Sequence, residues 1–235
     1  MKCCEKVRLS RAVASICPDI RDRVSKAVIP TDERRLWWEL SSCILSSQVP
    51  YPLSTAAANA IDNDGILHDK QTSAPKRAKR LEELLSAPLA VDGKQRAYRF
   101  PVARARQLAA AHGVVMGNHG SLGKLIHNFD TAAEARSWFV KHVPGIGPKQ
   151  ASMFLRNAGV SYELAILDRH VLNYMSKLGM YSDDSYSISG LTKYRRHEQT
   201  LIEHARELDC PVGLLDWAIW IVMRVANRTP EVATA

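Results

Sequence analysis

The run Val143-Pro144-Gly145-Ile146-Gly147-Pro148-Lys149-Gln150-Ala151 constrains this chain more than any other segment. It stands between two stretches of helical periodicity, and its alternating glycines and prolines allow only a tight hairpin between the two helices. Glycine permits close backbone approach, and a helix that follows opens on N–H groups with no intrahelical acceptor. Such a turn therefore presents amides toward an anion such as a phosphate. Pro148 suits a first helical turn, where its missing N–H removes nothing, and this places Lys149 in that turn. The positive end of a helix dipole and burial both disfavour an ammonium there, and both favour the neutral amine that nucleophilic attack requires.

Beyond the hairpin, the apolar stretch Leu164 to Leu167 ends in Asp168. A carboxylate can orient or deprotonate an amine and stabilise a developing positive charge. Each residue also has an ordinary structural reading. Asp168 precedes Val171, Leu172, Met175 and Leu178 at helical spacing, where an aspartate N-cap is worth about 1 kcal/mol. A lone lysine early in a helix is commonly a solvated one. The combination of glycine hairpin, lysine and aspartate is what points to chemistry.

The rest of the chain reads as helices, and no strand alternation stands out, so the fold class is all-α: two helical lobes with a helix-hairpin-helix between them. One lobe is expected from residues 1–65 with 185–235, and a second domain, carrying hairpin 143–151, from residues 66–184. A helix in the first thirty residues is expected to end before Pro30. The next is capped at Thr31, buries Leu36, Trp37, Leu40, Ile44 and Leu45, and runs to about Gln48. Ser54 opens an alanine-rich helix that closes at an Asn63-Asp64-Gly65 turn. Residues 72–80 read as a basic surface stretch, a charge run being either a solvated face or a contact for a polyanion, and a short helix follows at 81–85. Val102, Ala105, Leu108 and Ala109 form the inner face of a helix over 100–112, with Gly113, Gly117 and Gly120 interrupting the chain after it. Further helices are expected at 131–141, 148–158, 169–178, 194–208 and 212–227, with Gly159 and Gly179 as C-caps.

Bulk properties narrow the classes. A hydrophobic content of 46% over 235 residues supplies a core and excludes a disordered tail. Lys+Arg exceed Asp+Glu by 32 to 24, which favours a polyanionic partner. Cys3, Cys4, Cys17, Cys43 and Cys210 are odd in number and scattered, so neither a disulfide framework nor a metal or iron–sulfur site is expected, and a reducing cytoplasm fits. The apolar run Leu214 to Val225 is broken by Asp216 and Arg224, too short for a membrane span.

The words Gly145-Ile146-Gly147-Pro148-Lys149-Gln150-Ala151-Ser152-Met153-Phe154-Leu155-Arg156-Asn157 and Ala165-Ile166-Leu167-Asp168-Arg169-His170 resemble the helix-hairpin-helix DNA glycosylase/AP lyases, and within them the archaeal-type 8-oxoguanine DNA glycosylases. Weaker echoes at Cys43 to Gln48, Tyr98-Arg99-Phe100 with Arg104-Ala105, and Leu215 to Trp220 extend the resemblance over most of the chain. It implies that Lys149 attacks C1′ of the damaged nucleotide, expels the base and holds the sugar as a Schiff base open to β-elimination, with Asp168 assisting. Gly145 and Gly147 would hold a phosphate, and Gln48 would enter the space that a flipped base leaves. His170 either contacts a phosphate or is an ordinary helix-surface histidine. Asp216 and Trp220, one turn apart, offer a carboxylate and a stacking face for the base. The implied partner is double-stranded DNA carrying a damaged or modified base, with no cofactor and no metal, acted on by a monomer in the cytoplasm at the nucleoid. Where those relatives end in a lysine that reads the base, this chain continues from Arg224 to Ala235 without one, so the resemblance carries the lyase chemistry further than the identity of the base. The same chemistry on another modified base, and a hairpin module that binds DNA without excision, are the two other readings.

Overall fold

A computed structural model describes residues 2–27, 32–182 and 188–226. In chain order these hold α1 (Lys2–Lys26), α2 (Glu33–Leu45), α3 (Tyr51–Asp64), α4 (Ala74–Ser86), β1 (Leu89–Val91), β2 (Lys94–Arg96), α5 (Pro101–His119), α6 (Leu122–His127), α7 (Ala132–His142), α8 (Pro148–Asn157), α9 (Arg169–Leu178), α10 (Leu191–Glu207) and α11 (Val212–Ala226). The all-α class holds. Thr31 as a cap, the chain at Pro30, the side chains of Cys3 and Cys4, and the tail from Asn227 lie outside the described residues.

The chain divides into two compact units, Ile29–Val160, and Met1–Val28 with Ser161–Ala235. These boundaries differ from the expected ones at 65 and 185. The reason is that α2 and α3 bury their apolar faces in the middle unit, whereas α9 shares its core with α1 and α11.

In the middle unit, Asp32 caps α2 by accepting the Arg35 N–H at 3.0 Å. The helix then buries Leu36, Trp37, Leu40, Cys43 and Ile44. Glu33 ties α2 to α6: its Oε1 accepts from Trp37 Nε1 at 3.0 Å and from the Leu122 amide at 2.7 Å, and its Oε2 accepts from the Gly123 amide at 3.1 Å. One carboxylate thus satisfies two of the donors that every helix start leaves open. His112 stacks on Trp37, and burial, reinforced by the Arg77 charge, lowers it to about 4.

Several expected boundaries move. The alanine-rich helix α3 begins at Tyr51, since Pro52 is tolerated in a first turn, and Ser54 is buried inside it. The basic stretch opens α4, and Arg77 is 3% exposed, its guanidinium donating to the carbonyls of Ile66 and Asp69. Arg80 is paired with Asp64 and Glu83. Helix α5 passes through Gly113 and Gly117, which lie on its exposed face, because Ala111, His112 and Val115 continue the buried one; it stops at Gly120, at φ 73°. Val102 faces outward at 41% exposure. The antiparallel pair β1–β2 turns at Asp92 and Gly93, with φ of 50° and 73°, the left-handed pair that a two-residue hairpin requires. Its three-residue strands, one of them wholly exposed, are too short to show alternation.

In the terminal unit, α11 packs against α1, α9 and α10. Val13, Cys17, Ile20, Val171, Leu172, Tyr174, Leu201, Leu215 and Ile219 are among the side chains of one apolar cluster there. Gly213 lets α11 approach the segment after α8 closely: its amide donates to the Tyr162 carbonyl at 2.9 Å, and a Cβ at 213 would lie 2.7 Å from that oxygen.

Candidate active site

The hairpin forms as the glycine spacing requires. Val143 closes α7 and Ile146 packs inward, while Gly145, at φ 86°, reverses the chain in a conformation that costs a side-chain residue free energy. Gly147 is the N-cap of α8 and Pro148 fills its first turn. Among the described residues, no protein acceptor takes the amide N–H groups of Gly147, Lys149 and Gln150. Three donors at a helix start, next to a positive dipole end, are a ready anion site.

Lys149 stands in that turn, half-buried, and among the described residues its Nζ makes no hydrogen bond or ion pair. Helix α8 is held from both sides. Ser152 accepts from the buried Arg136 of α7 at 3.2 Å, and Asn157 donates to Glu39 of α2 at 3.1 Å. Glu39, only 4% exposed, is also paired with Arg35. Burial, aided by the Glu39 carboxylate, pushes the Cys43 thiol well above its usual range against the opposing Lys149 and Arg156 cations, so this neighbour stays protonated.

The turn after α2 carries Gln48. The helix ends at Leu45 rather than at Gln48, and Gln48 is exposed at φ 59°, a left-handed conformation seldom adopted outside glycine. The turn is braced from below: Tyr98 donates to the Leu45 carbonyl at 2.8 Å and Arg104 to the Ser47 carbonyl at 3.2 Å. Burial pushes Tyr98 up to about 12, which keeps it a donor. Arg104 also donates to Gln107 Oε1 at 2.6 Å, and Gln107 in turn lies against Gly145 of the hairpin. Arg104 and Gln107 thereby link the two loops of the middle unit.

Asp168 belongs to the terminal unit. It is the N-cap of α9, its Oδ1 accepting from the amides of His170 at 2.8 Å and Val171 at 2.9 Å. Among the described residues its Oδ2 accepts nothing, so the cap uses only one of the two carboxylate oxygens. His170 is half-buried in the first turn of α9. Asp216 is 2% exposed and its Oδ2 accepts the Ile166 amide at 2.6 Å. Trp220 is 36% exposed, with the Arg224 guanidinium 4.7 Å over its ring. Spacing on one helix put these two together; their surroundings differ.

Residues 21–210 match the family model Ogg-HhH, described as 8-oxoguanine DNA glycosylase. An 8-oxoguanine DNA glycosylase/AP lyase of Metallosphaera sedula is 33% identical over 187 residues, 79% of this chain and 81% of that protein. One of the same description from Picrophilus torridus is 30% identical over 205 residues, 86% of this chain and 87% of that protein. Among solved structures, the Methanocaldococcus jannaschii 8-oxoguanine glycosylase/lyase in complex with 15mer DNA containing 8-oxoguanine superposes with a TM-score of 0.70. The match spans 95% of this chain and all of that one at 21% identity, a likeness of fold.

Proposed function

This chain belongs to the Ogg-HhH family of 8-oxoguanine DNA glycosylases, and from that membership we infer that it excises 8-oxoguanine from duplex DNA and then cleaves the strand at the abasic site. Lys149 is the nucleophile. Its neutral amine attacks C1′ of the damaged nucleotide, the N-glycosidic bond breaks, and the base leaves with the bonding pair and is protonated. The bound amine gives up one proton, the C1′–O4′ bond breaks as O4′ takes a proton, and the protonated Schiff base so formed acidifies the 2′ position, where loss of a proton expels the 3′ phosphate by β-elimination. Asp168, through its Oδ2, receives and returns protons and stabilises the charge that builds on the sugar.

One observation supports this reading above the others: a half-buried lysine whose Nζ, among the described residues, has no partner, at a helix start whose amides also have none there. A module that only bound DNA needs the amides but not the lysine. Gly145 and Gly147 hold a phosphate of the damaged strand, Gln48 fills the space of the extruded nucleotide from its braced turn, and His170 meets the backbone. Trp220 supplies a stacking face. No described helix is long and apolar enough to cross a membrane. A monomer working on cytoplasmic, nucleoid-borne DNA completes the proposal.

Borohydride reduction in the presence of an 8-oxoguanine duplex is expected to trap a covalent complex. Lys149→Gln abolishes trapping and leaves DNA affinity intact; trapping that persists in this variant refutes the assignment. A panel of other modified bases separates the oxidised-purine reading from the same chemistry on another lesion.

A further inference from the structure

The segment that leads into Asp168 is buried and, among the described residues, part of no sheet, yet the amides of residues 165–168 are all satisfied. Ala165, Ile166 and Leu167 are at most 6% exposed. The Ala165 amide donates to Glu198 Oε1 at 2.9 Å, the Ile166 amide to Asp216 Oδ2 at 2.6 Å, and the Leu167 amide to the Tyr194 hydroxyl at 2.9 Å. The Tyr194 hydroxyl donates back to the Ala165 carbonyl at 2.8 Å, and the Asp168 amide closes on the Ile166 carbonyl at 2.9 Å. Glu198 and Asp216 are 4% and 2% exposed, Tyr194 1%.

Two carboxylates and a phenol at this depth are a costly way to satisfy three backbone donors, which a neighbouring strand satisfies without buried charge. What side chains offer instead is a fixed position for a segment that has no sheet to hold it. Three consecutive amides anchored to two helices, α10 and α11, leave the backbone ahead of Asp168 no freedom to slide or rotate. The α9 cap holds Oδ1 from the other side. Asp168 is thus tied down on both sides.

We propose that Tyr194, Glu198 and Asp216 are positioning residues that clamp residues 165–167 and so aim the Asp168 carboxylate, and that Asp216 serves this clamp and not the base pocket. The proposal rests on Asp168 being the acid/base group of the functional reading. Release of one anchor frees the segment to shift, and a misplacement of about 1 Å costs about 100-fold in rate.

The test uses the full chain with Asp216→Val, Asp216→Asn and Tyr194→Phe, and Asp168→Asn as reference. Active sites are counted by exhaustive borohydride trapping, and single-turnover excision of 8-oxoguanine is normalised to that count, so partial unfolding does not enter the rate. Duplex affinity is measured in parallel. The clamp predicts a rate about 100-fold lower for Asp216→Val at unchanged affinity. It predicts recovery to within about tenfold for Asp216→Asn, which keeps an acceptor for the Ile166 amide. Tyr194→Phe, which removes only a hydroxyl, loses rate in the same way even if Asp216→Val does not fold. If Asp168→Asn excises like the parent, the functional reading fails and the proposal with it. If Asp168→Asn is inactive while Tyr194→Phe and Asp216→Asn or Asp216→Val keep the parental rate, the clamp alone is overturned. A changed preference among lesions in the Asp216 variants, with the 8-oxoguanine rate retained, also overturns it, because it returns Asp216 to the base pocket.

Discussion

Gly145 and Gly147 sit two residues apart in one turn, and the structure gives the same substitution opposite costs at the two positions. Alanine at 145 must hold φ near 86°, which costs an L-residue about 1–2 kcal/mol. Its Cβ would also lie 2.6 Å from Gln107 Oε1, 2.8 Å from Gln107 Cδ and 3.3 Å from Gln107 Cβ. Gln107 can swing aside, but its Oε1 then leaves Arg104 Nη1, a charge-assisted bond of 2.6 Å. Losing such a bond costs about 1.5–3 kcal/mol, so Gly145→Ala should destabilise the protein by about 3 kcal/mol in all. Gly147 has φ −98° and ψ 177°, extended backbone that alanine adopts freely. A Cβ there meets only the mobile Gln150 Oε1 at 3.1 Å. Gly147→Ala should therefore cost less than about 1 kcal/mol, mostly the weaker N-cap preference. Urea unfolding at constant m-value reads the difference. In thermal unfolding, about 3 kcal/mol corresponds to a midpoint lowered by roughly 6–12 °C for a chain of this size. Because Arg104 joins Gln107 to the carbonyl of Ser47, Gly145→Ala should weaken duplex affinity more than Gly147→Ala does. Equal destabilisation by the two variants would refute the assignment of strain and contact to position 145 alone.

Asp168→Asn keeps an oxygen for the His170 and Val171 amides, so stability should change by less than about 1 kcal/mol, while single-turnover excision falls by about 10²–10⁴-fold. A parallel loss of stability would mean that Asp168 acts through the cap instead. His112 gives a pH dependence. Its folded value near 4 lies below the ordinary 6.5, so between these the unfolded chain binds a proton that the folded one does not. Its contribution of about 3 kcal/mol is present above pH 6.5 and is lost as pH falls toward 4. His112→Gln should flatten the stability profile over that window in chemical denaturation, with the rest of the curve unchanged.

Much of the site was legible because its signals are local. A glycine that must reverse the chain, a proline that must begin a helix and an aspartate that must cap one are decided by the few residues around them, so the hairpin, Lys149 and the start of α9 stand where spacing put them. Helix α5 shows the limit of the same reasoning: Gly113 and Gly117 read as interruptions, yet the buried face on the other side carried the helix past them. Arg77 read as surface charge because nothing nearby in sequence reveals the carbonyls of Ile66 and Asp69 that it turns to meet.

By itself the sequence determined the helical class, the glycine turn and the places of Lys149 and Asp168 at the starts of α8 and α9, since periodicity, backbone freedom and capping depend on neighbours along the chain. Only the tertiary structure decided which helices share a unit, that Glu33 starts α6, that Arg104 and Gln107 brace the turn of Gln48, and that Tyr194, Glu198 and Asp216 hold the approach to Asp168. Those assignments come from buried polar atoms finding partners across gaps of 27 to 90 residues, from Tyr194 with Leu167 to Glu33 with Gly123. A buried donor must be paired, and the pairing is written in space, where the chain order of the partners leaves no trace.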